Sequence, residues 1–180
     1  MTVIQMSDDD EPPDNPALDR AIEIIIASLR SGGTVYACGN GGSDAHAGHL
    51  VAELVGRFAY DRPPLRAVHL SSGGPVGSCI ANDYGWEQVF ARQVWGLCTD
   101  RDVLVCFTTS GRSENITHAA RDRTGPTVVL CGPVGLVHHE VGPDSVEVRS
   151  SATTTPAIQE DHQAWVHEIA RRVEQEMFPR

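Results

Sequence analysis

Residues 103–113 read VLVCFTTSGRS, and this stretch decides the fold. The apolar run Val103–Phe107 predicts a buried strand of a parallel sheet. The TTSGRS segment predicts a loop with a tight turn at Gly111, and a helical pattern then continues to about Arg123. A strand, a loop and a helix in this order form the repeating unit of α/β proteins with a parallel sheet.

The same unit recurs along the chain. Thr34–Cys38 is an apolar run, GNGGS follows at 39–43, and a helical pattern then extends to about Arg57. The other predicted strands are Leu65–Leu70, Thr127–Cys131 and Ser145–Val148, and the other predicted helices are Pro16–Arg30, a stretch from about Val76, Trp86–Leu97 and Pro156–Met177. Strands that alternate with helices indicate a parallel sheet covered on both faces, with right-handed crossovers.

Length and charge limit the classes of protein. The 180 residues carry 24 acidic and 14 basic side chains, a formal charge of −10, which argues against a nucleic-acid partner. We expect a disordered acidic tail over residues 1–15 and a single domain over 16–180. The sequence contains neither an apolar run of about 20 residues nor a secretion pattern, so we expect no membrane partner and a cytoplasmic location.

The chain contains no lysine, since all 14 basic residues are arginine. This excludes a Schiff-base lysine and a phosphate-loop lysine. The five cysteines include no C-x-x-C pair, and three of them fall in predicted strands. We therefore expect buried thiols in a reducing compartment and no disulfide framework.

Two loops at the carboxyl ends of predicted strands are candidate ligand sites, because ligands of open parallel sheets bind there. The second loop offers four hydroxyl groups, from Thr108, Thr109, Ser110 and Ser113. With the N–H groups of the next helix they predict a phosphate cradle that needs no lysine, although a plain helix cap would use the same residues. The first loop is no dinucleotide fingerprint, because Asp44 replaces the last glycine, and its glycines also suit a simple turn.

Two helices carry residues capable of acid–base or metal chemistry. His49 and Glu53 are four residues apart and share a helix face, as a metal-binding pair, an acid–base pair or a solvent-facing pair would. Gln159 and His167 are eight residues apart, about 12 Å along a helix. An ion that binds both must lie between extended side chains, or the two residues serve different copies of the chain.

Other polar residues have a structural interpretation. His162 and Gln163 are expected to be packing or surface groups, and His46 a surface group. Asn82 and Asp83 are typical of a turn that ends a helical stretch.

Five segments taken in order resemble one known family. They are CGNGGS at 38–43, HLVAELVGR at 49–57, ANDYGW at 81–86, TTSGRS at 108–113 and IQE at 158–160. With His167 they resemble the sugar isomerase (SIS) domain family, over about residues 16–178. The resemblance implies a flavodoxin-like three-layer αβα sandwich with a five-stranded parallel sheet. It also implies a homotetramer with active sites at subunit interfaces.

The resemblance also implies a reaction. The expected activity is aldose–ketose isomerisation of D-sedoheptulose 7-phosphate to D-glycero-D-manno-heptose 7-phosphate through an enediol, the first step of nucleotide-activated heptose biosynthesis. The alternatives are an isomerase for another sugar phosphate, or a non-catalytic SIS protein that binds a sugar phosphate or a replication-initiator partner. Non-catalytic relatives lack the helix glutamate and the late histidine, so Glu53 and His167 favour the enzyme.

The resemblance implies roles for particular residues. One zinc ion per subunit is expected on His49, Glu53, Gln159 and His167. Glu53 and His167 are the expected acid–base pair, and which of them is the base stays open. The implied substrate contacts are Asn40, Gly41, Gly42, Glu53, Asn82, Asp83, Thr108, Thr109, Ser110, Ser113 and Gln159.

Overall fold

The computed structural model describes residues 15–71, 73–121, 123–137, 142 and 144–180. The tail predicted over residues 1–15 lies outside this part of the chain except for Asn15. Asn15 caps the first helix, because its Oδ1 accepts a hydrogen bond from the Leu18 N–H at 3.1 Å. Pro16 then occupies the first helical turn, where a missing N–H costs nothing.

Five strands of the described chain form one parallel sheet in the order β2-β1-β3-β4-β5. The strands are β1 (Val35–Cys38), β2 (Ala67–His69), β3 (Val103–Thr108), β4 (Thr127–Cys131) and β5 (Val146–Arg149). All four neighbouring pairs are parallel. Every residue of β3 is buried, as the VLVCF run predicts for a central strand. The predicted five-stranded parallel sheet is confirmed.

In the described residues, six α-helices cover the two faces of this sheet. They are α1 (Pro16–Arg30), α2 (Gly42–Val55), α3 (Gly74–Tyr84), α4 (Ala91–Leu97), α5 (Glu114–Arg121) and α6 (Thr155–Met177). The helix predicted through Trp86–Leu97 is interrupted, because residues 86–88 form a 3-10 turn before α4 begins. The break lets the chain change direction and place Val89 and Phe90 fully in the core.

The core has two parts, one on each face of the sheet. Val103, Val105 and Phe107 of β3 pack with α1, α2 and α6. Leu104 and Cys106 point to the other face, under α4 and α5. Cys38, Cys106 and Cys131 are buried free thiols, as expected. This arrangement puts α2 and α6 side by side, although their residues lie more than 100 positions apart in the sequence.

No helix in the described part of the chain is long and apolar enough to cross a membrane.

Candidate active site

The two predicted ligand loops lie at the carboxyl ends of β1 and β3. They are called here the glycine loop, residues 39–43, and the hydroxyl loop, residues 108–113. β1 and β3 are parallel neighbours, with Cys38 paired to Cys106, so the loops that follow them emerge on the same side. Two hydrogen bonds join the first loop to the helix that follows the second: the Asn40 and Asn115 side-chain amides donate to each other at 2.9 Å. The glycine loop and the segment after the hydroxyl loop therefore form one unit.

The hydroxyl loop is shaped by its own side chains. Thr108 Oγ1 accepts a hydrogen bond from the Gly111 N–H at 3.1 Å, and Ser110 Oγ accepts one from the Arg112 N–H at 3.2 Å. Each hydroxyl keeps its O–H to donate to a ligand. The carbonyl of Ser113 accepts hydrogen bonds from the N–H groups of Ile116 and Thr117, so α5 begins directly after the loop. The described geometry suits an anion, and phosphate binding stays a prediction.

Gly111 is required by the shape of this loop. Its φ of +65° lies in the left-handed region, and a Cβ there would lie 1.7 Å from the carbonyl oxygen of Gly135. A side chain would displace the backbone of the segment after β4.

The glycine loop makes room for a residue of α6. Gly41, with a φ of +57°, precedes the first turn of α2, and a Cβ on Gly42 would lie 2.3 Å from Gln159 Nε2. The Gln159 amide therefore packs against the start of α2. Of the four predicted metal ligands, Gln159 thus lies at the loop end of the α2–α6 pair.

The other three predicted ligands lie further along the same two helices. His49 Nε2 is 3.0 Å from Glu53 Oε1, as the four-residue spacing predicts. The His167 ring meets the His49 ring edge-on, with centroids 5.2 Å apart. Phe58 borders this cluster, with its ring centroid 5.9 Å from that of His167. The structure thus brings both predicted acid–base residues to one patch.

Gln163 connects these side chains, and the sequence analysis missed this role. Its Oε1 lies 3.2 Å from His46 Nδ1 and 3.2 Å from His49 Nδ1. Its Nε2 lies 2.9 Å from His167 Nε2. One amide thus holds three imidazole rings. The available signal was the spacing of 159, 163 and 167, which puts the three residues on one helix face.

His162 lies in the core next to this network. Its ring packs between Phe107 and Trp165, with centroids 5.8 Å and 5.5 Å away, and meets His46 edge-on. Within the described part of the chain, neither ring nitrogen has a hydrogen-bond partner. Burial, and then the neighbouring His46, lower the pKa of His162 to about 4, so the ring is neutral at pH 7. The prediction of a packing role is confirmed for this residue.

A buried ion pair fastens the far end of α2 to α6. Arg62 Nη2 donates to the carbonyl of Glu53 at 2.7 Å, and Arg62 Nε donates to Glu174 Oε1 at 3.2 Å. Glu174 also accepts the N–H groups of Phe58 and Ala59. Burial raises the pKa of Glu174, but these hydrogen bonds and Arg62 outweigh it and lower the pKa overall. The pair fixes the helix that carries Glu53 against the helix that carries His167.

Asn82 and Asp83 are set apart from these groups. Both lie exposed in the last turn of α3, where Asn82 Nδ2 donates to Asp83 Oδ1 at 2.7 Å and Cys79 is the other side-chain partner. Their described side-chain hydrogen bonds reach neither loop and neither predicted acid–base residue. Their role as substrate contacts stays a prediction.

In the described part of the chain, no group of three or more His, Cys, Asp or Glu residues is close enough to hold a metal ion. Zinc binding by His49, Glu53, Gln159 and His167 therefore stays a prediction.

Comparison with known proteins gives the class. The model of the SIS domain family matches residues 6–128 of this chain. The chain is 41% identical to a phosphoheptose isomerase of Bordetella avium over 153 residues. This match covers 83% of this chain and 78% of the relative. The solved phosphoheptose isomerase from Francisella tularensis matches with a TM-score of 0.85 at 34% identity, over 91% of this chain and 88% of that one. The corresponding structure from Neisseria gonorrhoeae matches with a TM-score of 0.81 at 32% identity, over 88% and 85% of the two chains.

The chain therefore belongs to the SIS domain family, which confirms the resemblance and the fold expected from it. Within that family, these relatives place it among the phosphoheptose isomerases, so it is an isomerase enzyme.

Proposed function

We propose that this enzyme converts D-sedoheptulose 7-phosphate to D-glycero-D-manno-heptose 7-phosphate. The observation that carries the proposal is the chain of hydrogen bonds that runs from Glu53 of α2 through His49 and Gln163 to His167 of α6. A non-catalytic SIS protein would need neither side chain at this patch. The names of the relatives at 34–41% identity supply the substrate class.

The reaction moves a carbonyl between C2 and C1 of the sugar. One group removes the proton from C1 of the ketose, an enediol forms, and a proton returns to C2 while the hydroxyl and carbonyl oxygens exchange protons. Glu53 and His167 are the groups suited to this transfer, since a carboxylate and an imidazole are both side chains that serve as general acids and bases. Gln163 donates to His167 Nε2, which selects the tautomer protonated at Nδ1.

The phosphate of the substrate serves as a handle in this proposal. The O–H groups of Thr108, Thr109, Ser110 and Ser113, with the N–H groups at the start of α5, supply donors without a lysine. Binding energy gained at the phosphate positions the reacting carbons at the helix patch.

Zinc, one ion per subunit, belongs to the proposal. His49 Nε2 and Glu53 Oε1 are donor types that zinc prefers, and they already point at one another across 3.0 Å. His49 Nδ1 faces Gln163, so Nε2 is the nitrogen that would hold the ion. His167 would join only after its Nε2 leaves Gln163, and Gln159 would complete the predicted set. When bound, zinc supplies polarisation of the substrate carbonyl.

A homotetramer is also part of the proposal. The α3–α4 side of the molecule exposes large apolar side chains, among them Trp95, which is 79% exposed. Tyr84, Trp86 and Leu97 add to this exposed surface. Apolar exposure on this scale is typical of a face that a further copy covers. A cytoplasmic location completes the proposal, supported by the phosphorylated substrate and five free thiols.

The test is turnover of sedoheptulose 7-phosphate by the full chain, with and without added zinc, beside Glu53→Gln and His167→Ala. We expect an aldose heptose phosphate as product and losses of about 10²- to 10⁴-fold in kcat for either variant. Glu168→Gln is the matched control, because Glu168 lies next to His167 on α6 but pairs with Arg171.

Two results would contradict the proposal. Wild-type chain that is folded and loaded with zinc but forms no aldose would refute the activity. Full turnover by Glu53→Gln would refute the acid–base pair while leaving the activity in place.

A further inference from the structure

Asn115 is a buried polar residue that the proposed reaction does not use. It lies in the first turn of α5, two residues after Ser113, and its exposed fraction is 1%. A buried amide without partners would destabilise the fold. Asn115 finds its side-chain partner outside its own helix, 75 residues earlier in the sequence, at Asn40.

The bonding is reciprocal. Asn40 Nδ2 donates to Asn115 Oδ1, and Asn115 Nδ2 donates to Asn40 Oδ1, both at 2.9 Å. Two opposed hydrogen bonds between planar amides fix the rotation of both side chains, which a single bond would leave free. Because Asn115 is buried in α5 and Asn40 lies on a half-buried loop, the helix residue holds the loop residue.

The backbone around Asn40 depends on this orientation. The carbonyl of Asn40 accepts the Ser43 N–H at 3.1 Å in the turn that starts α2. The glycines on either side of Asn40 give this turn no side chains of their own with which to hold its shape. The two hydrogen bonds between Asn40 and Asn115 connect this turn to α5, which follows β3.

We propose that Asn115 is a positioning residue, which sets Asn40 and the glycine loop against the sugar while the hydroxyl loop holds the phosphate independently. This inference rests on the proposed function, because it takes Asn40 as a contact of the sugar. It predicts that losing Asn115 impairs the reacting end of the substrate and spares the phosphate end.

The experiment compares Asn40→Ala, Asn115→Ala and the double variant in the full chain loaded with zinc. We expect each single variant to lower kcat about tenfold, and the double variant to lower it no further, because the two residues act as one unit. The inhibition constant of inorganic phosphate should stay within about twofold of wild type. Thr117→Ala is the matched control, since the described hydrogen bond of the Thr117 hydroxyl goes to the Ser113 carbonyl one turn earlier and not to the glycine loop.

Other outcomes overturn the inference. If the two single losses multiply in the double variant, Asn115 does not act through Asn40. If the phosphate inhibition constant rises in step with the loss of kcat, Asn115 supports the phosphate loop instead. Asn115→Ser, which keeps a small polar group in the buried position, replaces Asn115→Ala in the cycle if the alanine variant does not fold.

A second readout separates this inference from the proposed activity. Backbone hydrogen exchange at residues 39–43 should be about tenfold faster in Asn115→Ala than in wild type, and unchanged in Thr117→Ala. If the wild-type chain does not isomerise the heptose phosphate, this measurement still decides whether Asn115 holds the loop. Unchanged exchange at residues 39–43 refutes the positioning role.

Discussion

The site has two parts that are built in different ways: a loop edge, formed by residues 39–43 and 108–113, and a helix face, formed by the facing sides of α2 and α6. The loop edge is shaped by backbone, because Gly42 and Gly111 allow approaches that any side chain would block. The helix face is shaped by long side chains, in which Gln163, Arg62 and Glu174 bridge α2 and α6. The geometry of the loop edge therefore depends on residue types at fixed positions, whereas the geometry of the helix face depends on how two helices that are distant in the sequence pack together.

Gly111→Ala should break the loop edge and have the largest effect on stability. The new Cβ would meet the Gly135 carbonyl at 1.7 Å, and the backbone already has a positive φ. We expect the free energy of unfolding to fall by about 3 to 5 kcal/mol, from overlap and backbone strain together. Urea denaturation followed by circular dichroism measures this change.

Gly32→Ala is the matched control for that variant. Gly32 also has a positive φ, of +80°, but its Cβ would have no neighbour within 4 Å. Backbone strain alone should cost about 1 to 2 kcal/mol. Equal losses in the two variants would show that the contact with Gly135 does not matter.

Glu174→Gln should break the helix face at the far end of α2. The Arg62 and Glu174 side chains are 2% and 1% exposed, so removing the carboxylate leaves a buried guanidinium without its counter-ion. We expect a loss of about 3 kcal/mol in the free energy of unfolding. Glu176→Gln, which removes a solvent-exposed pair with Arg30, should cost less than about 1 kcal/mol.

The pH dependence of this pair has a definite sign. The pKa of Glu174 is lower in the folded chain than in the unfolded one, where it is about 4.3. Its contribution is therefore complete above that value and is lost as the pH falls through the folded pKa. The free energy of unfolding of Glu174→Gln should therefore fall less with decreasing pH than that of wild type. An equal fall in the two proteins would contradict the lowered pKa of Glu174.

The same comparison explains how far sequence alone can go. The sheet, the glycine turn and the hydroxyl loop were predictable because strand periodicity, Gly111 and the TTSGRS spacing act locally. His49 and Glu53 were predictable as a pair because four residues make one helical turn. The hydrogen bonds of Gln163 to His46 and His49 could not be predicted, because they depend on how α6 packs against α2. These two histidines precede Gln163 by more than 110 residues. The 3-10 turn before α4 was missed because burial of Phe90 decides it.

Gln163→Leu should remove the hydrogen bonds from Gln163 to His49 and His167 while a side chain of similar size keeps α2 and α6 packed. His49 and His167 would then lose the amide that orients them. We expect kcat to fall about 10- to 100-fold, as for other residues that orient ligands and acid–base groups, with a change in unfolding free energy below about 1 kcal/mol. Gln175→Leu, on an exposed position of the same helix, is the control. Unchanged kcat in Gln163→Leu would show that the histidines are placed by packing alone.

His162→Leu should have the smallest effect at neutral pH. The ring is fully buried and no described residue hydrogen-bonds to its nitrogens, so an apolar side chain of similar size should leave the free energy of unfolding within about 1 kcal/mol at pH 7. The result at acid pH should differ. The unfolded chain binds a proton at His162 near pH 6.5, whereas the folded chain does so only at about 4.

Wild-type stability therefore falls as the pH drops from 6.5 towards 4, since the unfolded state binds more protons in this window. At pH 5 the difference amounts to about 2 kcal/mol, by which His162→Leu should exceed wild type. Urea titrations at pH 7, 6 and 5 measure it, in a window that lies above the one assigned to Glu174. Parallel curves for the two proteins would contradict the lowered pKa and would mean that the His162 ring gains a partner or solvent in the folded chain.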